Sequence, residues 1–412
     1  MVGAGLAGLS AAVALSKAGR QVTVYEAAGH AGGRCRSYDD EALGRRIDNG
    51  NHLVLSGNES VQGYLRDIGA ADALTGPGEA AFPFIDVRTG ERWRVAIGEG
   101  RLPWWMFSAA RRPPGTSAID MLKGLSLLRA GDRETVAGCL AGSRAYEGFW
   151  EPLALAVLNT EPVEGSASLL GAVLRETVVR GGSACRPLIA RTGLGDAFVE
   201  PALALLANHG IEVQFAARLR ELELEGSDIR GLRFSDRDVP LDSGDTVILA
   251  VPAWVAESLV HGLDVPTTHR AIVNAHYLLS EPCDDVSFLG LVGGVAQWLF
   301  VRGDVASVTV SAADDLADED ASHIAEKIWP EVAQALDIKI QSLPRYRIIK
   351  EKRATFAQTP AEVRCRPVAA TTWRNLWLAG DWIDTGLPAT IEGALKSGRQ
   401  AAGLAMSNGN NP

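Results

Sequence analysis

The chain has 412 residues, of which 47% are hydrophobic, and a formal net charge of -10. That length and apolar fraction suit an α/β protein with two or three domains' worth of core, and the acidic balance argues against a nucleic-acid partner. Its five cysteines, Cys35, Cys139, Cys185, Cys283 and Cys365, are scattered with no C-x-x-C pair, which fits a reducing compartment and disfavours a disulfide framework or a zinc site; no metal is expected.

The chain opens on Val2-Gly3-Ala4-Gly5-Leu6-Ala7-Gly8-Leu9, a glycine-rich turn running into a helix. Gly3, Gly5 and Gly8 have the G-x-G-x-x-G spacing of dinucleotide-binding folds. The first glycine permits the tight turn, the second admits a pyrophosphate to the backbone, and the third lets helix and strand pack closely. Phosphates would then meet free N–H groups at Leu6, Ala7 and Gly8, at the positive end of the helix dipole. Leu6, Leu9, Ala12, Val13 and Leu15 form the helix's apolar face, Gly19 ends it, and Gln21 to Tyr25 is a strand ending at Glu26. Glu26 stands where a carboxylate can accept hydrogen bonds from a ribose diol. Only Met1 and Val2 precede Gly3, so the first strand looks missing, and a natural start about five to eight residues upstream is expected from strand length.

A second glycine pair follows in Gly32-Gly33-Arg34. A further loop and a guanidinium just past the ribose carboxylate suit the extended pyrophosphate of a flavin dinucleotide. Arg36 reads equally well as a second phosphate ligand or a surface charge. Gly3 to Gly8, Glu26 and Gly32-Gly33-Arg34 together resemble the amine oxidase and phytoene desaturase superfamily of FAD proteins. Asp48-Asn49-Gly50-Asn51-His52 resembles the D-x-G-x-H stretch that runs beneath the flavin there. His52 is a candidate catalytic group, although a lone histidine is more often structural.

Arg101-Leu102-Pro103-Trp104-Trp105-Met106-Phe107, followed by Arg111-Arg112, combines an apolar wedge with a cationic edge, as interfacial anchors do. Residues 119–128 continue it as an amphipathic helix. Helical patterns follow from Phe149 to Val179 and from Ala202 to Asn208, then a strand over 210–215. Near Leu219 the superfamily resemblance implies a backbone contact to the adenine. Thr246 to Val251 reads as a buried parallel strand. Residues 271–311 alternate as several antiparallel strands, the expected floor of a substrate chamber, with His276 and Tyr277 as further catalytic candidates. Asp314 to Ala335 reads as a solvated acidic helix and Ile340 to Lys350 as one more strand. The chain closes on Trp377 to Trp382, a strand delivering Gly380-Asp381, and a helix opening near Ile391. The superfamily resemblance places Asp381 at the ribityl phosphate and the N-terminus of that helix, at Ile391, toward the flavin's pyrimidine carbonyl.

Within the superfamily, an amine oxidase would have an aromatic cage residue where this chain has Thr390. The middle of the chain is similar instead to the hydroxysqualene dehydroxylases, the squalene-associated FAD-dependent desaturases of hopanoid biosynthesis. Leu102-Pro103-Trp104-Trp105, Trp150-Glu151-Pro152-Leu153, Leu158-Asn159-Thr160, His276-Tyr277 and Gln297-Trp298-Leu299-Phe300 carry that likeness. It implies reductive removal of an allylic hydroxyl from a C30 isoprenoid substrate, hydroxysqualene, to give squalene. The alternatives are a carotenoid-type desaturase or saturase, an amine oxidase, and a non-catalytic flavoprotein subunit.

The implied architecture is α/β. A Rossmann-like FAD-binding domain is formed by 1–80, 186–265 and 350–412, and a discontinuous α+β substrate domain by 81–185 and 266–349. Residues 101–130 are the candidate membrane-contacting segment. No apolar run is long enough to span a bilayer and no signal peptide is visible, so a cytoplasmic protein, peripheral on the inner face of the membrane and near other squalene and hopanoid enzymes, is expected.

Overall fold

A computed structural model describes residues 1–339 and 342–408. The glycine turn sits at the end of a parallel sheet gathered from distant parts of the chain. Val24–Tyr25 pairs in parallel with Val213–Gln214, and Val247–Leu249 pairs in parallel with Leu376–Leu378. Val2 lies between these pairs, bridging Tyr25 on one side and Leu249 on the other. Its amide donates to the Ile248 carbonyl at 2.9 Å, and its own carbonyl accepts from Ala250 at 2.7 Å. On the other side the flanking residues make the pairing, Gly3 N donating to the Tyr25 carbonyl at 2.7 Å and Tyr25 N to the Met1 carbonyl at 2.9 Å. Helix Leu6–Lys17 leaves the turn, and helix Ile391–Asn408 packs against it.

The second layer is a mainly antiparallel sheet in the order 298–310, 269–292, 81–86, 92–96, with Tyr346–Phe356 also paired to the long strand His269–Val292. The expected row of short strands is instead two long ones. Register shifts after Leu278 and before Ser287 interrupt the apolar alternation without ending the strand. Tyr346–Phe356 carries this sheet past the expected domain boundary at residue 350; Ile340, the expected start of that strand, lies outside the described residues.

Each strand alternates between two faces. Val273, Ala275 and Tyr277 join Ala306, Val308 and Val310 on one of them, packed on Ile324, Ile328, Trp329 and Val332 of helix Ala321–Ala335. The acidic segment is thus two helices, Asp314–Asp318 and Ala321–Ala335, and the second uses an apolar stripe to cover the sheet. Asn274, His276, Ser307 and Thr309 fall on the opposite face, toward residues 48–52. The expected helix over 149–179 is two, Glu151–Leu158 and Ala167–Glu176, because Asn159 adopts a left-handed conformation at φ 46°. These pack with Trp105, Met106 and Trp150 in a separate apolar cluster.

Candidate cofactor and active site

The three opening glycines differ in what surrounds them. A Cβ at Gly3 would collide with the Ala250 carbonyl, and one at Gly8 with the Gly3 carbonyl. A Cβ at Gly5 meets nothing within 4 Å. The turn is therefore closed where it packs and open where a phosphate would approach. Helix Leu6–Lys17 has no side-chain cap and no acidic residue in its first turn, so its leading amides suit an anion. Glu26 accepts from Ala4 N at 2.7 Å and Ala28 N at 2.8 Å, one bond per oxygen. Each oxygen keeps a lone pair for a ribose hydroxyl. Gly32 bridges to Gly5 and Gly33 lies alongside it. Leu219 begins a strand two residues after Ala217, whose amide donates to the Glu26 carbonyl at 2.8 Å.

Arg34 joins the two chain ends. It donates to Asp381 Oδ1 at 2.7 Å and to the Ala354 carbonyl. The main chain after Gly380 is held from behind by the buried Arg366, which donates to the Ile383 carbonyl. Arg36 pairs with His30 Nε2 at 2.8 Å and lies over the Tyr38 ring. Two further polar residues, Gln358 and Glu392, place the last helix. Gln358 donates from Nε2 to the Leu158 carbonyl at 2.6 Å and accepts at Oε1 from Ala389 N at 2.8 Å, just before the helix that starts at Ile391. Glu392 accepts from Ser60 N and Val61 N, both at 2.8 Å. Sequence reading had no signal for either, because an isolated Gln or Glu shows no partner in one dimension.

Asp48, His52 and His276 are brought together, and Tyr277 is not. His52 lines a small cavity but is exposed, with Asp48 and Arg34 nearby. His276 is fully buried, shares a 2.7 Å hydrogen bond between Nδ1 and Ser307 Oγ, and is pushed down to about 4 by burial. The His276 ring is therefore neutral at pH 7. Tyr277 faces the other side of the sheet and donates its hydroxyl to the Ala325 carbonyl at 2.9 Å, which takes it out of the catalytic candidates. Adjacent strand residues point to opposite faces, so His276 and Tyr277 were never both available to one site.

The site-facing side of the second sheet is graded. At one end it carries Asn274, His276, Ser307 and Arg302. Phe300 follows, and then Phe82, Phe84, Phe288 and Trp298, which share one apolar cluster with Trp105. Within the expected wedge the tryptophans divide. Trp105 is buried, whereas Trp104 and Phe107 are 70% and 61% exposed beside exposed Leu102 and Ile119. Leu102, Trp104, Trp105 and Arg111 line an open groove of about 540 Å³.

This arrangement matches the model of the family described as flavin containing amine oxidoreductase over residues 6–406. Two full-length relatives are named hydroxysqualene dehydroxylase. That of Sinorhizobium fredii is 48% identical, covering 100% of this chain and 98% of its own; that of Zymomonas mobilis is 45% identical, covering 99% of each. The chain belongs to the hydroxysqualene dehydroxylase branch of that flavin family. Among solved structures, putrescine oxidase bound to putrescine shares the fold at a TM-score of 0.70 and 16% identity, covering 98% of both chains. Cyclohexylamine oxidase from Brevibacterium oxydans does so at 0.67 and 15%, again over 98% of both. FAD is the cofactor of this dehydroxylase branch, and the chain fits it: the open face of Gly5, the uncapped helix and the spare lone pairs of Glu26 form a cradle for a dinucleotide.

Proposed function

We propose that this protein catalyses the FAD-dependent reductive dehydroxylation of hydroxysqualene to squalene. The observation that carries the reading is full-length identity of 48% to a relative named for that activity, extending through the substrate layer as well as the cofactor motifs. Gly3, Gly5, Leu6, Ala7, Gly8, Glu26, Gly32, Gly33, Arg34, Leu219, Gly380, Asp381 and Ile391 would hold the dinucleotide. Bound in its reduced form, FAD would supply a hydride and a proton, so that the C–O bond is replaced by a C–H bond and the hydroxyl departs as water, leaving oxidised FAD.

The chain's own contribution is placement and exclusion of water. Neutral His276 is a poor proton donor at pH 7, and neither it nor His52 is given the role of general acid. The aromatic cluster around Phe82, Phe84, Phe288 and Trp298 suits a polyene, and its dryness would protect an electron-poor allylic carbon from capture by water. Delivery of so apolar a substrate favours contact with a bilayer, since each methylene partitions into lipid by about 0.8 kcal/mol. Leu102, Trp104, Phe107 and Ile119, with Arg101 and Arg111 at their edge, would make that contact on the inner face of the cytoplasmic membrane. Among the described residues no helix is long and apolar enough to cross one.

Anaerobic turnover of the reduced enzyme in deuterated water tests the reaction, because the transferable hydrogen of reduced flavin exchanges with solvent. The expected product is squalene with one deuterium at the former carbinol carbon. Unlabelled squalene would refute hydride delivery. Conversion of phytoene in place of hydroxysqualene would favour the carotenoid-type reading, which has a relative only 24% identical, the probable zeta-carotene desaturase of Synechococcus elongatus.

A further inference from the structure

Arg302 interrupts the strand Trp298–Val310 between buried Val301 and Val305. A charge in such a place is tolerated when it is paired and its partner is itself fixed. Asp48 does this from the other layer, accepting from Arg302 Nη1 at 3.0 Å through Oδ2. Its Oδ1 is held by Ser37 Oγ at 2.5 Å and Leu194 N at 2.8 Å, and its side chain is only 3% exposed. The carboxylate is thus locked on three sides and locks the guanidinium in turn.

Both residues line one small cavity of about 30 Å³ together with His52, Asn51 and Ser307. That is room for a hydroxyl or one or two waters. The polar wall is pre-positioned by partners outside the cavity: Ser307 by His276, and Asn51 by Thr309 at 3.3 Å. The remaining wall is apolar, with Phe300 and Val305 prominent. Such a lining matches one oxygen carried on a hydrocarbon. A guanidinium stays protonated and can only donate through five N–H groups; Asp48 takes one of Arg302's, so an alcohol oxygen can accept from another, whereas a plain hydrocarbon offers it no acceptor.

We propose that this cavity is the hydroxyl-recognition site, in which Arg302, positioned by Asp48, donates to the oxygen of the allylic alcohol while Phe300 and Val305 contact the adjoining chain. The assignment rests on the dehydroxylase reading and deepens it. It gives the enzyme a reason to prefer substrate over product, because the product lacks the oxygen that Arg302 needs.

The test compares binding of hydroxysqualene and squalene to oxidised holoprotein in detergent micelles, read from perturbation of the flavin visible spectrum. Wild type should bind the alcohol more tightly. Arg302→Met should weaken hydroxysqualene about tenfold or more, the loss expected of a hydrogen bond to a charged donor, and leave squalene unchanged or tighter. Where that variant fails to fold because Asp48 is left buried and unpaired, Asp48→Asn combined with Arg302→Met removes both charges, and the same loss of preference is expected. Variants that keep the wild-type preference, or that weaken both ligands equally as a purely structural role would, overturn the pocket. A wild-type protein with no preference for the alcohol overturns the dehydroxylase reading and the pocket with it.

Discussion

Gly5 and Gly8 are three residues apart, yet the structure assigns them opposite sensitivities. Gly8→Ala drives a Cβ into the Gly3 carbonyl, so the protein itself should lose about 2 kcal/mol or more, the scale of overpacking at a tight contact. Gly5 has φ -70° and empty space at its Cβ position. Gly5→Ala should therefore keep the apoprotein melting temperature while the flavin content of purified protein falls several-fold. Equal losses of stability in the two variants would contradict the division. His276 adds a pH dependence. Burial holds its imidazole near a pKa of about 4, below the usual value near 6.5. As pH falls through that window the unfolded chain takes up the proton first, so stability is lost at up to about 1.4 kcal/mol per pH unit and recovers as pH rises. Denaturant titrations from about pH 7 down to 5 should show a shallower slope for His276→Gln; identical slopes would mean that the ring titrates freely.

Between elements, the decisive contacts are made by single polar residues. Gln358 ties the end of helix Glu151–Leu158 to the approach of helix Ile391–Asn408, and Asn159 accepts from Ala312 N at 2.7 Å while donating to Thr355 at 3.0 Å. Gln358→Ala leaves the Ala389 N–H unpaired, a cost of about 1–3 kcal/mol, removes one of the two donors to the Leu158 carbonyl, and loosens the approach to the helix that would hold the dinucleotide at Ile391. Calorimetry of the holoprotein should show a lower melting temperature together with faster release of FAD. A variant that melts early yet holds its flavin as tightly would separate the two effects.

This scale also explains what could be read in one dimension. The cofactor motifs were legible because each is carried by consecutive residues: a glycine spacing, a carboxylate at the end of a strand, a second glycine pair, and Gly380-Asp381 before a helix. Arg302 and Asp48 are 254 positions apart, and no periodicity links them. The long strand His269–Val292 was read as several because its register shifts erase the alternation on which such reading depends. The opposite facing of His276 and Tyr277, by contrast, was available from the two-residue period alone.

For the whole molecule, two gradients meet. The motif-bearing ends of the chain converge on one cradle, where Arg34 from the start grips Asp381 from the end, and the second sheet runs from polar groups near His52 to an aromatic cluster that includes Trp105. The exposed Trp104 and Phe107 contact each other and flank, in sequence, Trp105 and Met106 of that cluster. Changing both to serine should reduce sedimentation with liposomes while FAD content and melting temperature hold, and unchanged sedimentation would remove the membrane contact from the account. Trp105→Ser, in contrast, should destabilise the fold by about 3–5 kcal/mol, because its ring is core.

The central claim is that the flavin cradle and the graded sheet serve the reduction of an oxygenated polyene. Anaerobic mixing of reduced holoprotein with hydroxysqualene, followed by flavin absorbance and product extraction, tests it most directly. The account predicts return of the oxidised flavin spectrum with squalene formed in equal amount. Flavin that stays reduced while hydroxysqualene is recovered intact would contradict it.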